Sequence, residues 1–225
     1  MLENATAAGN VLIPLMLAHV IASLVVVETR RLKSAIVALV VQSALLAAII
    51  GVFAFMSGNA TLYWWVGVCV ITKVLLVPVL LWRYCAVLPE REPEPVLSFW
   101  TSIVLLSIGV VVIYQVVQGY ADVIIPPVSA AAARDGVAVA FVVMALGLYT
   151  ATVRRGTIKI ILGLLLMENG VHLTLLSLAP AYPTTTVVGV ATNVIVLVWL
   201  MLYLAAQVYE ILGTTDVTEL SELRR

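Results

Sequence analysis

The sequence predicts an all-α integral membrane protein, a polytopic bundle of about seven transmembrane helices with the N-terminus outside and the C-terminus cytoplasmic. Three observations lead there. Of the 225 residues, 63% are hydrophobic and 11% charged, and the mean hydropathy is +1.15, a composition foreign to water-soluble domains. The apolar residues fall in runs of about 17 to 25, long enough to cross a bilayer as helices. The basic residues crowd into alternate connections.

The runs are Val11–Val27, Ala35–Met56, Leu62–Trp82, Val96–Val117, Val137–Val153, Thr157–Leu178 and Val187–Val208. In lipid every backbone polar group needs a partner within the protein, so helices are expected and loops at that depth are excluded unless protein covers them. The leading MLENATAAGN carries Glu3 and no basic residue, unlike the start of a cleaved signal peptide, so the first run is expected to be kept. One side of the membrane would hold Arg30, Arg31, Lys33, Arg83, Arg91, Arg154, Arg155, Lys159, Arg224 and Arg225; the other holds Arg134. The positive-inside rule makes the first side cytoplasmic, an arrangement that seven spans allow and six or eight do not.

The PEREPEPV stretch, Pro89 to Val96, reads as an extended Pro/Glu cytoplasmic linker over residues 89–96. It divides a three-helix part, residues 1–88, from a four-helix part, residues 97–225. The order span, double arginine, span, uncharged turn, span describes 11–82 and returns in 137–208. Duplication would produce that order, and so would charge selection on the turns alone.

Twelve basic and twelve acidic residues cancel, which leaves no electrostatic footprint for nucleic acid. Cys69 and Cys85 share one span, about 24 Å apart along a helix, too far for a disulfide; they read as core thiols. Neither they nor His19 and His172 show metal-ligand spacing, so no metal, cofactor or catalytic centre is expected, and redox chemistry would belong to a partner.

The costly residues are the informative ones. Glu168 sits at the centre of Thr157–Leu178, where insertion of an acidic group costs about 2.5–3.5 kcal/mol. A carboxyl kept neutral in apolar surroundings, ionising only when a proton acceptor or cation approaches, is what a proton relay requires. His172 follows one turn later on the same face, about 6 Å along the axis, and Asn169 and Asn193 extend the polar line. The competing reading is a protonated glutamate acting as interhelical glue, a bond worth about 0.6 kcal/mol on average and thus small against the insertion cost. Lys73 lies mid-span in Leu62–Trp82, five residues before Pro78, which removes the amide that would bond the Val74 carbonyl. It reads as an ion-handling group or counter-charge. Glu28 reads as a solvated interfacial charge, His19 as a packed or hydrogen-bonded histidine, and Gln42 and Gln115 as interhelical hydrogen bonders.

The stretch RRGTIKIILGLLLMENGVHL, Arg154 to Leu173, and the tail DVTELSELRR resemble the small NuoK subunit of respiratory complex I and the MrpC protein of Mrp-type cation/proton antiporters, over residues 137–225. The whole layout, with TKVLLVPVLL in the third span, resembles a longer relative, the HyfE family of energy-converting group 4 hydrogenases and formate hydrogenlyase. The resemblance implies a non-catalytic subunit of an oxidoreductase complex in a prokaryotic plasma membrane, packed beside antiporter-like and other membrane-arm subunits and contributing to a lateral proton path. NuoK proteins carry one membrane glutamate where this chain has Leu165 and a second near Asn193, so a two-glutamate path is not implied. What is implied is Glu168 as the one carboxylate, His172 as relay and Lys73 as counter-charge. The alternatives are a subunit of a multisubunit cation/proton antiporter and a purely structural membrane anchor.

Overall fold

In the computed structural model, which describes residues 2–85, 97–120, 123, 131–178 and 184–213, the apolar runs are helices. They are α1 (Leu2–Glu28), α2 (Leu32–Ser57), α3 (Ala60–Cys85), α4 (Phe99–Gly119), α5 (Ala131–Val153), α6 (Thr157–Leu178) and α7 (Thr184–Leu212). Each contains a segment long and apolar enough to cross a membrane, and the described residues contain no strand beyond isolated bridge positions. The chain is a multi-pass membrane protein. The 89–96 linker with Arg91 and the tail from Asp216 lie outside the described residues.

The turn between α2 and α3 is written locally. Gly58 takes the left-handed conformation (φ 63°) and its N–H bonds the Ala54 carbonyl, closing α2; a side chain there would be strained. Asn59 then caps α3, its side chain accepting from the Thr61 N–H at 3.0 Å. Ser98 starts α4 in the same way, accepting from the Thr101 N–H.

The third span departs from the α-helix with a proline break that its sequence suggests. Residues Val70–Leu76 form a π-helix between α-helical Ala60–Cys69 and Val77–Cys85, and the Val77 N–H bonds Thr72 O. Two features loosen the ladder here. The Thr72 hydroxyl donates to the Val68 carbonyl at 2.7 Å, competing with the backbone for it, and Pro78 has no N–H to return. The widened turn contains Lys73.

Packing is tightest between α5 and α6, where glycines let the backbones meet. A Cβ on Gly147 would fall 2.5 Å from the Gly163 carbonyl oxygen, and one on Gly163 would fall 2.7 Å from the Gly147 oxygen. This is the small-residue seam by which membrane helices gain dispersion contacts in the absence of a hydrophobic drive. Around this pair, α1 packs on α2 and α5, α2 on α6, and α3 on α2 and α7. The helices that the sequence pattern pairs, first with fifth, second with sixth and third with seventh, are thus in contact. The core is the sheath of Leu, Ile, Val and Ala between them, including Leu39, Leu46, Ile50, Leu162, Leu166 and Leu173, and buried polar side chains enter it from α1, α2, α3 and α6.

Candidate functional site

Lys73, on the π-helical turn of α3, reaches across to α6. Its Nζ lies 2.9 Å from Glu168 Oε2, 2.8 Å from His172 Nδ1 and 2.5 Å from Asn169 Oδ1. An ammonium has three protons and no lone pair: it donates to Asn169 and His172 and forms an ion pair with Glu168, whose Oε2 is close but not aligned as a hydrogen-bond acceptor. His172 Nδ1 therefore presents its lone pair to the lysine, and the ring proton belongs on Nε2, which lies 3.3 Å from Glu168 Oε1 without hydrogen-bond alignment. Trp65 meets the imidazole edge to face, centroids 5.7 Å apart, and limits its tilt. The lysine is 3% exposed and Glu168 11%, with both carboxylate oxygens sealed from the surface.

The site thus unites a cation, a carboxylate and an imidazole inside an apolar bundle. Of the residues singled out from the sequence, Glu168, His172 and Lys73 come together, and Asn169 joins them. Asn193 does not: it lies nine residues into α7, a depth similar to that of Glu168 ten residues from the end of α6, but on an exposed face. His19 is fully buried and hydrogen-bonded to Gln42, as its sequence position suggests; Gln115 is exposed. Cys69 and Cys85 are buried free thiols. Among the described residues no three His, Cys, Asp or Glu side chains converge as metal ligands would.

A second buried cluster lies at the end of the bundle where α1 and α5 finish. Glu28 is not a solvated surface charge. Its Oε2 pairs with Arg154 Nη2 at 3.1 Å, and Ser102 Oγ of α4 donates to Oε1, so the α5–α6 turn and α4 close over it. With the Ser102 proton given to Glu28, the Tyr149 hydroxyl donates to Ser102 at 2.7 Å. Lys159 belongs not to the turn but to the first part of α6, wholly buried, and its Nζ donates to the carbonyls of Val26 at 2.6 Å and Val27 at 3.0 Å. Those carbonyls end α1, where the helix has no amides of its own to satisfy them and where a cation opposes the helix dipole. The sequence signal was present: a lysine two residues inside a span, opposite a helix end lacking a basic residue in its last turn.

Comparison with known proteins follows the same lines. The family described as NADH-ubiquinone/plastoquinone oxidoreductase chain 4L matches residues 137–225. Over 186 residues the chain is 32% identical to hydrogenase-4 component E of Escherichia coli strain K12, a match covering 81% of this chain and 83% of the relative. The chain belongs to the hydrogenase-4 component E family. The same identity and coverage hold for the component E proteins of Escherichia coli O157:H7 and Shigella flexneri. No solved structure matches. The chain 4L match contains Glu168, Asn169 and His172 on α6, whereas Lys73 lies outside it.

Proposed function

We propose that this component E family member is a non-catalytic membrane subunit of an ion-translocating respiratory-type complex, a membrane-bound hydrogenase or formate hydrogenlyase, and that it contributes Glu168 to a lateral proton path. The family assignment supports the complex; one observation carries the path. Glu168, His172 and Lys73 meet within 3.3 Å in mid-bundle, where an acid is expensive and a titratable neighbour gives it something to exchange with.

The geometry makes two states exclusive. While His172 is neutral, its Nδ1 accepts from Lys73 and the ammonium balances Glu168. An imidazole protonated on both nitrogens has no lone pair, so a proton arriving at His172 ends its bond to Lys73 and sets two like charges side by side. The lysine must withdraw. The imidazolium then becomes the counter-charge of Glu168, with Nε2–H facing Oε1; transfer of that proton to the carboxylate leaves the Nδ1–H tautomer, and the lysine contact re-forms once the ring has returned to its Nε2–H tautomer. The proton and the lysine contact thus alternate on one nitrogen. Neighbouring antiporter-like subunits would supply and receive the proton, and the redox centres would reside in soluble partners.

The test is Glu168→Gln in the assembled complex within sealed membrane vesicles. Assembly should remain near wild type, because a glutamine keeps the volume and hydrogen-bonding capacity, while protons translocated per donor turnover should fall. Undiminished translocation would contradict the relay role.

A further inference from the structure

Lys73 is held from a side that the proton exchange does not use. The carboxamide of Asn169 turns its oxygen to the ammonium because its Nδ2 is committed elsewhere, donating to Gln42 Oε1 at 2.5 Å and Ser43 Oγ at 3.4 Å on α2. Gln42 is fixed in turn. Its Nε2 donates to His19 Nε2 at 3.1 Å and Ser23 Oγ at 3.3 Å, and His19 Nδ1–H returns a bond to the Gln42 carbonyl at 3.0 Å. His19, Ser23, Gln42, Ser43 and Asn169 are all buried. The direction is set by chemistry: an ammonium and an amide nitrogen cannot donate to each other, so only one rotation of each carboxamide satisfies both its neighbours.

We propose that Gln42, acting through Asn169, is a positioning residue for Lys73: it locks the rotation of the Asn169 carboxamide so that the ammonium returns to its place between Glu168 and His172 whenever the histidine is neutral. The proposal rests on the reading of Glu168 as a proton carrier. Turned over, Asn169 would aim its NH2 at Lys73, removing one of its two hydrogen-bond acceptors and replacing attraction with repulsion. The arm ends on the N-terminal helices, so α1 and α2 hold the cation that α6 uses. Two neutral carboxamides separate Lys73 from His19, and neither is an acid, so the arm steadies the lysine without opening a branch for the proton.

The test measures protons moved per turnover in vesicles bearing the assembled complex. Gln42→Met keeps length and volume but offers Asn169 no acceptor, and coupling should fall by about fivefold, the effect of losing one buried orienting hydrogen bond. Adding Asn169→Asp should restore most of it, because a carboxylate presents an acceptor whichever way it turns. A merely structural role predicts further damage from that second change, which adds a buried charge. If Gln42→Met does not assemble, Gln42→Asn, polar but one methylene short of Asn169, should lower coupling in the same way. Wild-type coupling in the Gln42 variant that assembles, or no rescue by Asn169→Asp, overturns the proposal. Normal coupling in Glu168→Gln would instead remove the proton-carrier reading beneath it, so the two failures are distinct.

Discussion

Lys73 and Lys159 are both buried ammonium groups, and their partners separate their roles. Lys159 bonds two backbone carbonyls at the end of α1, groups that do not titrate. Lys73 bonds a carboxylate and an imidazole, which do titrate. Lys159→Met should therefore destabilise the fold by about 2 kcal/mol or more, since bonds from a charged donor to groups otherwise left unpaired are the strong ones. It should be read as a lower thermal midpoint of the purified complex, with translocation per assembled complex retained. Lys73→Met should show the reverse, near-normal assembly with translocation lost, measured in the same vesicles. A Lys73→Met variant that pumps normally would remove the lysine from the exchange. The sequence exposed Glu168, His172 and Lys73 because a polar group in mid-span has no cheap explanation. Lys159 and Glu28 looked like ordinary interfacial charges because they lie near span ends, where a charge can reach water and its burial depends on which helix closes over it.

At the scale of elements, α6 is placed by its seam with α5, and that placement sets where Glu168 and His172 stand. Gly163→Val should push α5 and α6 apart, because the added carbons meet the Gly147 carbonyl and Ala151 N, and the yield of assembled complex should drop. Gly109→Ala on α4 meets nothing within 4 Å and should leave the yield unchanged, a contrast that quantitative blotting of membranes can read. The helices themselves were legible from apolar run length, since a helix is the only open form that satisfies its own backbone in lipid. The π-helical turn was not. Pro78 marked a disturbance, but whether it resolves as a kink or a widened turn depends on competition for the Val68 carbonyl and on Lys73 having partners across the bundle, neither of which a single span reveals. The Gln42 and Asn169 contact was equally hidden, because pairing between α2 and α6 is a property of the packed bundle.

For the whole molecule, the contacts between first and fifth, second and sixth, and third and seventh helices bring a lysine from the N-terminal three helices to an acid on the C-terminal three. Charge placement predicts which face each end meets. A cysteine at exposed Ser57 should react with a thiol reagent confined to the outside of cells, and one at exposed Thr152 should react only after permeabilisation; the reverse labelling would invert the topology. The proton path stands or falls on whether Glu168 changes its protonation as the complex works. Infrared difference spectroscopy of the carboxyl C=O stretch during turnover addresses this directly. A relay through Glu168 predicts a carboxyl band that appears or disappears with turnover and is missing in Glu168→Gln. A spectrum in which turnover changes no carboxyl band assignable to Glu168, while protons are still translocated, would contradict it.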